Sequence, residues 1–191
     1  ALRKRFPTWQ DVAAAPMAGI KAAIKSGGMA NQKAARIKET LAAVKARYGT
    51  YSLSALRKKS NDEIIGELVS LNGVGFKTAS CVLLFSLGRD VFPVDTHVHR
   101  ICNRLGLVPN TPTPEKTFEV MKRLVPAGRG YSFHTNLIRF GRMVCRSAKP
   151  RCAICPLYDE CVFEDKARWR NSTGLASRSG DYAFMLLDNV R

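Results

Sequence analysis

Two residues of this sequence, Lys77 and Asp95, are of types that can carry out covalent and acid–base chemistry. Lys77 lies at the mouth of an apolar segment, and Asp95 follows 18 residues later at the head of the next predicted helix. A lysine beside apolar walls has its neutral, nucleophilic form favoured by desolvation, and such an amine can attack C1′ of a nucleotide and form a Schiff base. A nearby carboxylate can assist proton transfers and stabilise positive charge on the sugar. Two plainer interpretations stay open, a phosphate-binding lysine and an aspartate that only caps its helix.

Four of the six cysteines crowd into one segment with the spacing C-x6-C-x2-C-x5-C, namely Cys145, Cys152, Cys155 and Cys161. Four thiolates can hold zinc or an iron–sulfur cluster. Zinc ribbons usually have two short C-x2-C pairs and this segment has one, so the spacing favours [4Fe–4S], with zinc as the alternative. Disulfides are disfavoured because the cysteines are not spread along the chain. Lys149 and Arg151 lie between the ligands, where a clamped loop would present them to phosphates.

A tight turn precedes Lys77 and has the sequence Leu71-Asn72-Gly73-Val74-Gly75. Its two glycines allow positive φ and a close approach of the backbone, and Val74 is expected to pack between the flanking helices. The N–H groups at the start of the next helix would then be available to an anion such as a DNA phosphate. This contact positions a duplex without reading its sequence. An ordinary glycine turn between helices is the alternative.

These residues must be positioned by helices, which the sequence predicts nearly throughout. Apolar residues spaced four, three and four apart predict a helix capped by Asn31, and Asn61 is expected to cap the next one. An apolar helix at about 77–87 is expected to be central, with Cys81 and Cys102 as small buried hydrophobic residues. Helices are also predicted at about 95–105, from the Thr113 cap through 124, and at 132–144. A weak strand pattern occurs at 182–187.

The charge balance narrows the class of partner. The 191 residues carry 31 Lys and Arg against 15 Asp and Glu, which gives a net charge of +16. Such an excess repels itself, so an anionic partner is expected; nucleic acid is favoured, and an acidic membrane surface is the rival. No apolar stretch reaches the roughly 20 residues of a spanning helix, and no signal peptide is recognisable at the start. The chain begins at Ala1 rather than Met, and a longer parent polypeptide is one expectation from this.

Three motifs carry a resemblance to a known family, and they occur in the family's order and spacing. They are the hairpin with Lys77, Thr78 and Ala79, the segment Val94-Asp95-Thr96-His97-Val98-His99-Arg100, and the four-cysteine ending. Together they resemble endonuclease III, the helix-hairpin-helix DNA glycosylase and AP lyase, over about Leu2 to Cys161.

The resemblance implies an all-α fold of two helical lobes around a DNA-binding cleft, with a small [4Fe–4S] cluster loop domain. It implies Lys77 as the Schiff-base lysine, Asp95 as the essential aspartate, and the four cysteines as cluster ligands. Base flipping, N-glycosidic cleavage and β-elimination would follow. The segment 28–34 resembles the loop that fills the gap in the duplex, with Met29 as its wedge, although a simple helix-to-helix turn is the alternative.

Lys77 also separates branches of the family, since relatives that lack lyase activity usually have serine or tyrosine at this position. The sequence departs from the family at Asn72, where proline is usual, and at Phe76, where arginine is common. The family's first helices, which include a glutamine loop that helps to fill the hole left by the flipped base, are absent from the sequence. The tail after Cys161 has no clear counterpart.

The sequence therefore predicts a helical domain at 1–131 with its hairpin motif at about 61–87, a closing helix and cluster loop at 132–165, and an extension at 166–191. The predicted function is base-excision repair of oxidised pyrimidines in duplex DNA by a glycosylase with AP lyase activity. A non-catalytic DNA-binding module and a 5-methylcytosine or mismatch glycosylase are the alternatives. The expected partner is double-stranded DNA with a damaged or abasic site. A monomer is expected, located in the cytoplasm or nucleoid, or in the nucleus of a eukaryote.

Overall fold

The computed structural model describes residues 1–172, which are helical and contain no β-strand. The predicted all-α fold class is therefore confirmed. The predicted strand at 182–187 and most of the extension at 166–191 lie outside the described residues. None of the helices within 1–172 has the length and apolar character needed to cross a membrane. The α-helices are α1 Leu2–Arg5, α2 Trp9–Ala14, α3 Met17–Ile24, α4 Ala30–Tyr48, α5 Asn61–Val69, α6 Phe76–Cys81, α7 Thr96–Arg104, α8 Pro114–Leu124, α9 Gly130–Met143 and α10 Lys166–Ser172.

The chain divides into two compact units, Ala1–Ala79 and Ser80–Arg191, the second described as far as residue 172. The division falls inside the predicted helical domain at 1–131, whose bounds stay a prediction. The first unit contains Lys77 and the second contains Asp95 and the four clustered cysteines.

In the first unit, α3 and α2 pack against the long helix α4. Their shared core consists of the fully or nearly fully buried residues Val12, Ala15, Ile20 and Ala34. Helix α5 buries Ile64 and Leu68. Burial of each large apolar side chain contributes roughly 1.5–3 kcal/mol to stability.

Two predicted helix caps in the first unit are wrong by one or two residues. Helix α5 is capped by Ser60 instead of Asn61: the Ser60 hydroxyl accepts from the Glu63 N–H, and the Glu63 carboxylate accepts from the Ser60 N–H. This reciprocal capping box satisfies donors that Asn61 alone would leave open. Helix α4 begins after Met29, which has left-handed backbone angles, instead of after Asn31.

In the second unit, α7 contacts both α8 and α9. Its buried residues Val98, Ile101 and Cys102 form the face that packs, which confirms the expectation of burial for Cys102. The predicted cap of α8 is also confirmed, because the Thr113 hydroxyl accepts from the Lys116 N–H and Pro114 is the first helical residue. These contacts fix α7, and with it Asp95 at its start.

The apolar helix predicted at about 77–87 differs from the structure in two respects. Helix α6 ends at Cys81, and residues Val82–Ser86 continue as a wider π-helical turn. The segment is also not buried on all sides, since Phe85 is 52% exposed and Cys81 is half-buried. A π-turn rotates the residues that follow it relative to a regular helix. The run of apolar residues in the sequence therefore could not show which face of the segment is exposed.

The capping box of α5 predicts a specific pH dependence of stability. The Ser60 hydroxyl and N–H hold the pKa of the Glu63 carboxyl below its ordinary value of 4.5. Because the folded-state pKa is depressed, this contribution is fully present above about pH 4.5 and is lost as the pH falls through the lower folded-state pKa. We expect Glu63→Gln to lower the free energy of unfolding in urea at pH 7, and the difference from wild type to shrink below about pH 4.5.

The matched control is Glu115→Gln, which removes a carboxylate from the first turn of α8. Glu115 makes no hydrogen bond or ion pair within residues 1–172, so its substitution should change stability less at pH 7. Equal pH profiles for the two variants would contradict the assignment.

Candidate functional site

The turn between α5 and α6 places Lys77 on the second residue of α6. The Val74 N–H donates to the Leu71 carbonyl at 3.0 Å, and Gly73 has a left-handed φ of 80°. Gly75 does not have positive φ, so only one of the two glycines is required by its backbone angles. Val74 is half-buried, in keeping with its predicted packing role.

The Lys77 side chain is exposed, which differs from the apolar surroundings that the sequence suggested. Its ammonium group makes no hydrogen bond or ion pair within the described part of the chain. The amine is therefore accessible to a ligand, and its enclosure would have to come from that ligand. The helix start and the amine lie on adjoining residues, so one bound phosphodiester could contact both.

Asp95 caps α7 with one oxygen of its carboxylate. Oδ1 accepts from the His97 and Val98 N–H groups, each at 2.8 Å, and the residue is half-buried. The other oxygen, Oδ2, accepts no hydrogen bond from residues 1–172. The plainer interpretation of Asp95 as an N-cap is thus correct, and the same side chain keeps an oxygen available for a proton or a positive charge.

Met29 is exposed at the tip of the loop between α3 and α4. It is 67% exposed and has φ 52° and ψ 36°, a left-handed conformation that is uncommon for a residue with a side chain. The Lys33 ammonium donates to the Gly27 carbonyl at 2.6 Å across this loop. The loop therefore presents a large apolar side chain to solvent on a constrained backbone, which is the arrangement expected of a wedge.

The four clustered cysteines line one pocket that opens to solvent. All four are free thiols, in agreement with the expectation of no disulfide. Apolar walls complete the pocket, contributed by Phe140, Val144 and Phe163 among others. The predicted ligands are therefore brought together by the fold, although 16 residues separate the first from the last.

Arg104 at the end of α7 connects both ends of the cysteine loop. Its Nη1 donates to the Arg146 carbonyl at 2.8 Å and lies 3.5 Å from the Cys145 sulfur. The Cys161 thiol donates to the Arg104 carbonyl at 3.1 Å, and the guanidinium lies 4.0 Å from the Phe163 ring centroid. Sequence reasoning missed Arg104, because its contacts lie 41 to 59 residues away along the chain.

The donor set of this pocket is four thiols, which as thiolates can hold either zinc or an iron–sulfur cluster. Within residues 1–172, no three His, Cys, Asp or Glu side chains are arranged to hold one metal ion. Burial raises the pKa of Cys155 to about 11 and also raises that of Cys152, so a thiolate-binding metal must displace protons from both.

The basic residues of this loop differ in exposure. Lys149 is exposed and has a positive φ of 51°, whereas Arg151 is half-buried and engages other groups of the chain. Lys149 is thus the more accessible of the two predicted phosphate-binding residues.

A further arginine, Arg36 of α4, lies at the hairpin and was not predicted. Its Nη1 is 3.3 Å from Oδ1 of Asn72, 36 residues along the chain. Helical periodicity places Arg36 on an exposed face and gives no signal of this contact.

The chain resembles a family of DNA repair proteins and several individual proteins. The model of the HhH-GPD superfamily, base excision DNA repair proteins, matches residues 1–127. The chain is 38% identical over 166 residues to an Arabidopsis thaliana protein provisionally described as a DNA glycosylase, with 82% of the chain covered, and spans 57% of that protein's length. It is 37% identical over 171 residues to endonuclease III of Thermotoga maritima, covering 88% of this chain and 76% of the relative. Over 170 residues it is 34% identical to the Arabidopsis DNA glycosylase/AP lyase ROS1, covering 80% of the chain and 12% of ROS1.

Two solved structures of endonuclease III with DNA resemble the chain. One is a non-covalent complex and the other a trapped covalent intermediate. Each has a TM-score of 0.71 and 31% sequence identity, and covers 88% of this chain. The chain covers 74% of the first and 75% of the second.

The double hydrogen bond at the start of α7 predicts a difference between two substitutions of Asp95. Asparagine is as good an N-cap as aspartate, whereas alanine loses the cap at a cost of about 1 kcal/mol. We therefore expect Asp95→Ala to lower the free energy of unfolding in urea by about that amount, and Asp95→Asn to remain near wild type. Equal destabilisation by both would show that the carboxylate stabilises α7 through its charge and not through the cap.

Proposed function

Because the chain belongs to the HhH-GPD superfamily of base excision DNA repair proteins, we propose that it is a bifunctional DNA glycosylase and AP lyase. Its proposed substrate is duplex DNA with a damaged or abasic site, and oxidised pyrimidines are the preferred lesion class. The observation that carries the proposal is the exposed amine of Lys77, without a partner in residues 1–172, directly after the hairpin turn.

In the proposed reaction, Lys77 Nζ forms a bond to C1′ of an extruded nucleotide. The base leaves with the electron pair of the glycosidic bond and takes up a proton, while the amine gives up a proton. Opening of the sugar ring then yields an imine between Lys77 and C1′. Loss of a proton from C2′ expels the 3′ phosphate by β-elimination, and water releases the lysine. An amine that engages no carboxylate in its own protein is suited to this step.

Asp95 would act on the same sugar through Oδ2. A carboxylate there stabilises the positive charge that develops at C1′ as the base departs, and can accept or return a proton during ring opening. The two backbone N–H groups on Oδ1 hold the carboxylate in place through this step. Oδ1 of Asp95 thus caps α7, and Oδ2 is the oxygen that acts on the sugar.

Duplex binding is assigned to three surfaces. The hairpin residues Gly73, Val74 and Gly75 would face the phosphate backbone, with the N–H groups of the two glycines as donors, because the Val74 N–H is engaged by the Leu71 carbonyl. Met29 would enter the space left by the flipped nucleotide, because it is the most exposed large apolar side chain described. Lys149 and Arg151 would contact phosphates beside the cysteine loop. This substrate implies a location in the nucleoid or a nucleus and requires only one copy of the chain.

A [4Fe–4S] cluster is the proposed cofactor, held by the four thiols that line the pocket, and it would cross-link the loop without a redox step. The contribution of the chain is to position the thiols: Arg104 binds both ends of the loop, and Arg100 donates to the Cys145 carbonyl at 2.7 and 3.1 Å. The loop that carries Lys149 is thereby tied to α7, which begins at Asp95.

Borohydride trapping tests the Lys77 assignment. Reduction of the imine should cross-link the full chain to a duplex that contains an abasic site or an oxidised pyrimidine, and Lys77→Ala should abolish the cross-link. Lys58→Ala, which removes an exposed lysine outside both the Met29 loop and the hairpin motif, is the matched control and should still be trapped. A panel that includes 5-methylcytosine and mismatched duplexes reports the lesion class.

Two results would refute the lyase assignment. One is the absence of a trapped adduct for wild type on every duplex, and the other is equal trapping by wild type and Lys77→Ala. Binding to duplex without any base release would instead support a non-catalytic DNA-binding module.

The cofactor proposal predicts the metal content of the purified chain. We expect about four iron atoms per chain and a brown visible absorption, both strongly reduced in Cys152→Ser. Cys81→Ser is the matched control, because Cys81 is half-buried and does not line the pocket, and it should keep its iron. Bound zinc without iron, or equal iron loss in both variants, would refute the cluster assignment.

A further inference from the structure

The side chain of Arg36 lies against the turn that precedes Lys77. Its Nη1 is 3.3 Å from Asn72 Oδ1, and a methyl group placed at Gly73 would fall 2.8 Å from both Cδ and Nη1 of Arg36. Glycine at position 73 is favoured by its left-handed φ, and the flexible end of the Arg36 side chain occupies the space that a Cβ would take. The guanidinium is held at the hairpin by contact as well as by a hydrogen bond.

Most of the hydrogen-bonding capacity of this guanidinium is unused. Nη1 makes the contact with Asn72 and a 3.5 Å ion pair with Glu39, whereas Nε and Nη2 donate to no acceptor within residues 1–172. The side chain is 54% exposed. Nε and Nη2 form the planar fork that binds two oxygens of one phosphate, so the part of the group suited to an anion is the part left open.

A purely structural arginine makes different contacts in this same helix. Arg47 of α4 donates from Nη1 to the Glu67 carbonyl at 3.0 Å and to the Ser70 hydroxyl at 2.8 Å, and so joins α4 to the end of α5. Arg36 makes one longer hydrogen bond to an exposed amide. A role in joining two helices therefore does not explain why Arg36 lies beside the turn.

We propose that Arg36 is a phosphate-binding residue, held over the hairpin by Asn72 and Gly73, and that it adds a charged, two-pronged contact to the same stretch of DNA backbone. The inference rests on the proposed function in that duplex DNA is the partner. It also gives Asn72, which stands where the family usually has proline, a role that proline cannot fill, because only the amide supplies an acceptor for Arg36.

The test is binding of the full chain to an undamaged fluorescent duplex at several salt concentrations. Each phosphate contact contributes about 0.9 to the slope of log affinity against log salt. We expect Arg36→Gln to weaken binding about tenfold at low salt and to reduce the slope by about one. Arg36→Lys should keep the slope and lose affinity, since it retains the charge without the fork. Asn72→Ala should weaken binding less than Arg36→Gln.

Arg47→Gln is the matched control, because it removes the same charge from the same helix at a position that contacts the end of α5 and not the turn at 71–75. Its slope should stay near that of wild type, although its thermal stability should fall. Equal slopes for Arg36→Gln and Arg47→Gln would overturn the proposal, as would a loss of thermal stability in Arg36→Gln with the wild-type slope. If Arg36→Gln does not fold, an unchanged affinity of Arg36→Lys at every salt concentration would overturn it instead.

The result of the Arg36 binding test can be distinguished from the result of the Lys77 trapping test. Salt-dependent duplex binding by wild type, without a trapped adduct on any lesion, would refute the lyase and leave the Arg36 contact to be judged on its own slope. No duplex binding by wild type would refute both.

Discussion

The arrangement of the hairpin depends on one backbone constraint, the left-handed conformation of Gly73. With φ at 80°, this glycine lies among the six residues, 70–75, that connect α5 to α6, and Lys77 is the second residue of α6. The same glycine leaves the space that Arg36 occupies. A side chain at this position would meet a disfavoured φ and would displace the flexible end of Arg36, so the turn that precedes Lys77 favours glycine.

The sequence predicted those features that are set by residues close together in the chain. The Thr113 and Asp95 caps were predictable because a cap bonds to N–H groups two or three residues away. The helical class followed from apolar periodicity. The caps of α4 and α5 were misplaced because several polar residues stand side by side at each helix start, and tertiary packing selects among them. The exposure of Phe85 and the π-turn that contains it cannot be inferred from the spacing of apolar residues.

The candidate site was predictable to the same degree. The four cysteines were grouped correctly because their spacing is short, whereas Arg104 and Arg36 were missed because their partners are distant in the chain. The solvent exposure of Lys77 was also not predictable, because the neighbouring apolar residues do not show which face of α6 is buried. Sequence spacing thus identified the candidate groups, and the fold was needed to identify the residues that contact them.

Met29 shows how stability and activity can favour different residues at one position. A left-handed conformation costs a residue with a side chain about 1–2 kcal/mol, which glycine would not lose. Selection for a sturdier protein alone would therefore replace Met29, while selection for a side chain that enters DNA would retain it. Under the proposed function, the loop between α3 and α4 is consequently a place where heat resistance should be easy to gain and insertion into DNA easy to lose.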